Sequence, residues 1–345
     1  MNYYRHIDRS KVQFDFLVDS DSTLVPREEI ESLGGRVFEV PPYQHVIEYQ
    51  RELQRIFKQE GWKIVHSHIN ALSVFPLRAA AKAGVPVRIA HSHSTSGKGE
   101  YAKNALKAVL KTQSNLYPTH RFACSKFAGE WLFGKAAHFE VVYNAIDLDR
   151  FRFNAEARAQ ARADLGLVGN QFAIGHVGRF TAQKNHAFLI DVFTEVAKRR
   201  DDAVLLLVGT GEAGASVKAL VDERGLTDRV KFLGQRNDVN RLYQAFDAFV
   251  LPSLYEDLGL VGVEAQASGL PCLLSDAITR EVDVTGECKF LSIDSPVVWA
   301  DEIDSLSPCS YEDRMSISSG QFADYNIDLQ ANRLTRKYLD LYSRN

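Results

Sequence analysis

Twelve short apolar, β-branched runs recur along this chain, separated by stretches of helical character. No other feature limits its fold so strongly. In the first half they are "VQFDFLV" (12–18), "GRVFEV" (35–40), "IVHSHI" (64–69), "VRIAHSH" (87–93), "RFACS" (121–125) and "EVVYNAI" (140–146). In the second half they are "FAIGHVGR" (172–179), "AVLLLVG" (203–209), "VKFLG" (230–234), "AFVLPS" (248–253), "PCLLSD" (271–276) and "KFLSID" (289–294). Most are continuous rather than alternating in polarity, as strands buried on both faces are. Strands alternating with helices imply a parallel, doubly wound sheet. Two sets of six imply two such α/β domains, which 345 residues accommodate comfortably. The boundary is expected within "IDLDRFRFNAEARAQARADLGLVGNQ", giving domains over 1–150 and 151–325. Residues 326–345 read as an amphipathic terminal helix with Leu329, Leu334, Tyr338, Leu339 and Leu341 available to one face, free to cross back onto the first domain. Ligands of open α/β sheets bind beyond the carboxyl ends of the strands. Two domains facing across a cleft would bring those ends together.

Charge and cysteine usage narrow the partners. The net charge of −3 gives no reason to expect nucleic acid. Residues 1–150 hold 20 Lys and Arg against 16 Asp and Glu, the remainder 21 against 28. A basic first half suits an anionic ligand or membrane surface, and chance asymmetry accounts for it equally well. Cys124, Cys272, Cys288 and Cys309 form no C-x-x-C pair and read as small buried hydrophobes in a reducing compartment. No apolar run approaches the roughly 20 residues of a membrane span, and no signal-peptide pattern opens the sequence. A cytoplasmic protein is expected. A peripheral place on the inner face of the membrane is an option, because "EYAKNALKAVLKTQ" sets Lys103, Lys107 and Lys111 at i, i+4 and i+8.

Three constellations carry chemistry. "HVGRFTAQKNH" follows the first strand of the second half and puts Arg179 and Lys184 in one loop before a helix. Two cations beside free helix N–H groups make an anion site, for which a diphosphate is the natural occupant; two solvated loop charges would look the same. "LLLVGTGEAGAS" contains Gly209, Gly211 and Gly214, but it follows the second strand of its domain, where a dinucleotide fingerprint follows the first. These glycines read mainly as tight-turn residues. "LYEDLGLVGVEAQASGLP" places Glu256 at a strand exit and Glu264 a turn or two inside the next helix. A carboxylate accepts two hydroxyl hydrogen bonds and so holds a vicinal diol, as in ribose or a pyranose. Between the two, the N–H groups of Gly259, Leu260 and Val261 can face a phosphate. The His-x-His doublets His66/His68 and His91/His93 end two strands. Such doublets can ligate metal, but no cysteines or carboxylates cluster beside them, so no metal is expected.

The stretch "YEDLGLVGVEAQASGLP" closely resembles the E-x7-E signature of retaining glycosyltransferases of the GT-B fold, family 4. "CSKFAGEWLFG", "VYNAIDLDRF", "VGRF…KNH", "LLLVGTGE", "VKFLGQRNDV" and "LPSLYE" fall in the order that family shows, over nearly the whole chain. The resemblance is greatest to the bacterial capsule and exopolysaccharide branch. It implies that Arg179 and Lys184 neutralise the donor pyrophosphate, with Gly209 nearby. Glu264 would hold the nucleotide ribose and Glu256 the donor sugar hydroxyls. His91 would lie beside the transferred sugar, with His93, His66 and His68 toward the acceptor. Basic side chains and a helix dipole stand in for a divalent ion in that family, so no cofactor is expected. Asp257 departs from the glycine many relatives carry there.

The implied activity moves a hexose or N-acetylhexosamine from a nucleotide-sugar donor, UDP-linked by expectation, to a lipid-linked saccharide acceptor in surface polysaccharide assembly. Two other readings fit the fold: a UDP-sugar epimerase, and a non-catalytic paralogue that binds nucleotide only. "MNYYRHIDRSKVQFDFLV" resembles the family from the middle of its first helix onward. The family's first strand and Gly-rich loop, which normally touch donor phosphate or acceptor, have no counterpart. The first sheet is therefore expected to lack its central strand, and the chain to be poorly active as written.

Overall fold

The computed structural model describes residues 1–93, 108–307, 311–316, 318 and 320–344. All twelve apolar runs contain a strand: β1 (Asp15–Asp19), β2 (Arg36–Val40), β3 (Ile64–Ser67), β4 (Val87–Ser92), β5 (His120–Ala123), β6 (Glu140–Val141), β7 (Phe172–Val177), β8 (Ala203–Val208), β9 (Val230–Gly234), β10 (Ala248–Leu251), β11 (Cys272–Ser275) and β12 (Lys289–Leu291). Every strand pairing is parallel. The chain forms two compact units, Met1–Ala145 with Asp324–Asn345, and Ile146–Ala323.

The second unit holds one six-stranded sheet in the order β12-β11-β10-β7-β8-β9. Read from its other edge, this is the doubly wound 3-2-1-4-5-6 order, whose direction of winding reverses between its first and fourth strands. Here those are β7 and β10. The reversal splays their following loops apart and opens a crevice above the sheet. The interior strand β8, "AVLLLV", is buried at every residue, as a strand covered by helices on both faces must be. Its core joins Phe172, Ile174, Leu205 and Leu207 to Leu189, Phe193 and Trp299. One buried charge cluster braces the same sheet. Asp247 accepts from Arg158 at 2.5 Å and Arg162 at 3.1 Å, both on helix α2 (Ala155–Asp164), and from the Ala173 backbone N–H at 2.8 Å.

The first unit holds two sheets, β1-β2 and β3-β4-β5-β6. In the doubly wound order the first strand lies between the second and the fourth. The strands standing in those flanking places, β1 and β3, are not paired with one another. Residues Asn2–His6 form a short helix, α1, instead of a strand. Among the described residues, no strand lies between them. Side chains nonetheless knit the two sheets into shared cores: Tyr4 and Ile7 pack with Phe14, Phe16, Ile64, Val87, Ile89 and Phe122.

Helix α5 (Ile327–Ser343) belongs to this first unit and adds Leu334, Tyr338 and Leu341 to that core. Its buried face differs in part from the one read from sequence, because Leu329 and Leu339 are exposed. Ile327, Gln330, Ala331, Leu334, Thr335, Tyr338 and Leu341 form the buried stripe. At 3.6 residues per turn, position 329 points about 140° away from 334. Cys124 and Cys272 are buried as expected, whereas Cys288 is only partly so; Cys309 lies outside the described residues. Lys103 and Lys107 also lie outside them, and the Lys111 ammonium sits over the Trp131 ring. Among the described residues, no helix is long and apolar enough to cross a membrane.

Candidate active site

In the second unit, the expected residues gather on the loops that leave β7 and β10. Arg179 is exposed just after β7. Lys184 closes a short 3-10 turn, Ala182–Lys184, and Asn185, at φ 53°, turns the chain into helix α3 (His186–Ala197). From the β10 side, Glu256 meets Lys184: Nζ donates to Oε1 at 2.5 Å. The two side chains are only 14% and 9% exposed, so neither is a free surface charge. Gln183 ties the loops further, donating to the Tyr255 carbonyl at 3.0 Å while its own carbonyl accepts from the Leu254 N–H at 2.8 Å.

Three residues beyond Glu256, Gly259 adopts φ 76° and opens helix α4 (Leu260–Ala267). That left-handed geometry costs a side-chain-bearing residue strain that glycine avoids. The first N–H groups of a helix have no acceptor within it, and the macrodipole makes that end positive. The start of α4, at Gly259, Leu260 and Val261, thus adds backbone donors beside the Lys184–Glu256 pair. After β8, Gly209 has φ 137°, and a Cβ there would stand 2.0 Å from the Gly178 carbonyl oxygen. This glycine serves close contact between two loops, the turn role read from sequence.

Glu264 sits on α4, half-buried, and accepts from the Tyr243 hydroxyl at 3.0 Å. Burial pushes its carboxyl up to about 7, against the pull of the Tyr243 hydrogen bond and the Arg150 charge. The Tyr243 hydroxyl also lies 3.1 Å from the Val261 carbonyl. Its single proton can serve either acceptor. When Glu264 is protonated, it donates to the tyrosine oxygen and the tyrosine donates to Val261. When Glu264 ionises, the tyrosine turns its proton to the carboxylate.

In the first unit, the four expected histidines come together. β3 and β4 are parallel with His66 opposite Ile89, so residues 66, 68, 91 and 93 share one face. His66 Nε2 lies 3.0 Å from His91 Nδ1, and His68 Nδ1 lies 2.7 Å from His93 Nε2. The rings stack along each strand, with centroids 4.1 Å apart for 66/68 and 4.0 Å for 91/93. Tyr338 of α5 meets His66 Nδ1 at 2.6 Å, and the Asn70 side chain accepts from the His93 backbone N–H at 2.6 Å. Burial, then neighbouring imidazoles, hold His66 and His91 well below the ordinary histidine value and therefore neutral. Burial, then the His93 charge, lowers His68 as well, to about 3.

Sequence reasoning gave Tyr338 only a place on the apolar face of the terminal helix, and assigned no role to Tyr243, Gln183, His176 or His186. His176 and His186 flank the Arg179–Lys184 loop and are both buried, with ring centroids 4.7 Å apart. His176 Nδ1 donates to the Val250 carbonyl at 2.9 Å, and burial holds both rings neutral. The clue to this pair was a histidine at each end of "HVGRFTAQKNH". Tyr243 and Tyr338 gave none, since each reaches its partner across tens or hundreds of residues.

Known proteins share this arrangement of motifs. Residues 157–319 match the family model described as glycosyl transferases group 1, and residues 1–150 match that described as glycosyltransferase family 4. A Bacillus subtilis protein, EpsF, named as a glycosyltransferase, is 40% identical over 314 residues, covering 88% of this chain and 82% of its own. An Escherichia coli enzyme is 30% identical over 65% of this chain and 60% of its own. Its name is UDP-Gal:alpha-D-GlcNAc-diphosphoundecaprenol alpha-1,3-galactosyltransferase. The crystal structure of Anabaena HepE in complex with UDP-glucose superimposes with a TM-score of 0.77 at 19% identity, covering 94% of this chain and 91% of that one.

Proposed function

Because this chain belongs to the family 4 glycosyltransferases of the GT-B fold, we propose that it transfers a hexose or N-acetylhexosamine from a UDP-sugar, with retention, to a lipid-linked saccharide. The observation that carries this reading is the Lys184–Glu256 pair beside the opening of α4, with Glu264 farther along the same helix. A cation paired with one carboxylate, beside a helix start that carries a second carboxylate, suits a diphosphate flanked by a sugar and a ribose. UDP-glucose in the HepE complex and the lipid diphosphate in the name of the E. coli relative support the donor and acceptor classes. Assembly of a surface polysaccharide is the matching role.

Transfer on this reading is mainly electrostatic. As the sugar–phosphate bond stretches, negative charge grows on the leaving diphosphate. Arg179, Lys184 and the N–H groups of Gly259, Leu260 and Val261 stabilise it there, where preorganised donors act best. Glu256 accepts from the sugar hydroxyls and Glu264 from the ribose diol. Neutral His91 hydrogen-bonds the sugar as its anomeric carbon becomes positive; His93, His66 and His68 serve the acceptor side. No side chain acts as a covalent nucleophile, and no step requires a metal ion.

Calorimetry with UDP, beside a transfer assay, tests the assignment. Arg179→Ala and Lys184→Ala should each weaken UDP by about 1.5–3 kcal/mol, the range of charge-assisted hydrogen bonds. Glu256→Gln should leave UDP affinity intact and lower transfer. Unchanged UDP affinity in a folded Arg179/Lys184 double variant would remove the phosphate assignment. Transfer should survive excess EDTA. Peripheral membrane contact belongs to the same reading; equal partitioning onto neutral and anionic vesicles would dismiss it.

A further inference from the structure

The histidine cluster of the first unit also has the composition of a metal site. We propose that His66, His68 and His91, with His93 beside them, bind one transition-metal ion of the zinc class. One ligand nitrogen from each of His66, His68 and His91 lies within 4.8 Å of the others. A tetrahedral ion, about 2.0–2.1 Å from each imidazole nitrogen, needs ligand nitrogens about 3.3 Å apart. The hydrogen-bonded His66–His91 pair at 3.0 Å and the outer limit of 4.8 Å bracket that spacing. Small ring rotations suffice, and the exposed edge of His68 gives the ion its entry.

The protons can move aside without leaving a charge unpaired. Each short nitrogen–nitrogen contact is an N–H···N bond between two neutral rings, so one lone pair already faces the centre. His66 ligates through Nε2 when its Nδ1–H donates to the Tyr338 hydroxyl oxygen, 2.6 Å away. That outer hydrogen bond is the arrangement that orients metal-bound imidazoles. His91 frees Nδ1 by carrying its proton on Nε2, a buried atom without a hydrogen-bond partner among the described residues. Burial keeps these rings neutral, the form that ligates. The donors are nitrogen alone. Imidazole sets of this kind suit zinc, nickel or copper, whereas magnesium and calcium require oxygen ligands.

An ion held there occupies the His91 lone pair, so zinc should suppress transfer rather than support it. That consequence rests on the role proposed for His91; the binding itself does not. The test uses the full chain, tag-free and stripped with chelator. It is titrated with ZnCl2 by calorimetry and with CoCl2 by visible absorption. One equivalent of zinc should bind saturably, cobalt should show the intense visible bands of a tetrahedral site, and MgCl2 should give no heat. His68→Ala, at the exposed edge, should weaken zinc about tenfold or more. His68→Asn serves as a second variant, and melting curves check that both fold. Absence of saturable zinc binding, or unchanged affinity in a folded His68 variant, overturns the site. Binding that leaves transfer untouched keeps the site and overturns the inhibitory consequence.

Discussion

Glu264 shows how a single carboxyl can set the pH response of the molecule. Its ordinary value is 4.5, and in the folded chain it stands near 7. A group protonated more readily in the native state weakens the fold as pH rises between those values. Ligand binding that needs the carboxylate moves the opposite way. UDP affinity should therefore strengthen as pH rises from 6 to 8, and Glu264→Gln should flatten that dependence. Tyr243→Phe removes the hydroxyl that stabilises the carboxylate, so the midpoint should shift to higher pH. A UDP titration series across pH reads all three; a wild-type affinity independent of pH would separate Glu264 from the nucleotide.

Elements divide sharply into those the sequence reveals and those it does not. Every strand among the described residues fell on an apolar run, most plainly where both faces are buried, as in β8 and β10, and no polar alternation competes. The Glu256–Gly259–Glu264 turn was legible for the same local reason: strand exit, left-handed glycine and helix start follow one another within a dozen residues. Ties between distant elements were not. Asp247 lies in an unremarkable "AFDAF", yet two arginines of α2 converge on it in the interior. Asp247→Ala would leave both guanidiniums buried without their partner, a loss of about 3–5 kcal/mol. Chemical denaturation should show that loss, while Asp149→Ala, on an exposed pair, should change stability by less than about 1 kcal/mol. Leu329 and Leu339 make the complementary point. Leucine on an amphipathic helix was counted toward the core, and only the angular spacing around α5 places both in solvent.

At the scale of the whole molecule, the first unit is built from two separated lengths of chain, with the second unit inserted between them. Among its described residues β1 and β3 are not paired with one another, so its two sheets meet through side chains rather than through one continuous ladder. Side chains from α5 fill much of what backbone pairing does not: Leu334, Tyr338 and Leu341 reach a core that also holds α1, β4 and β5. Deleting residues 324–345 should abolish the first unit's thermal transition and spare that of the second. Differential scanning calorimetry would show one transition in place of two; survival of both would mean that α5 is dispensable. The same layout fixes an order of assembly during synthesis. Domains ordinarily fold in the order in which they leave the ribosome. Here β3 must wait for α5, because Tyr338 reaches His66 across 272 residues of sequence. The inserted unit can finish its sheet while the first still holds an incomplete core, which makes that waiting interval the time when a chaperone has most to shield.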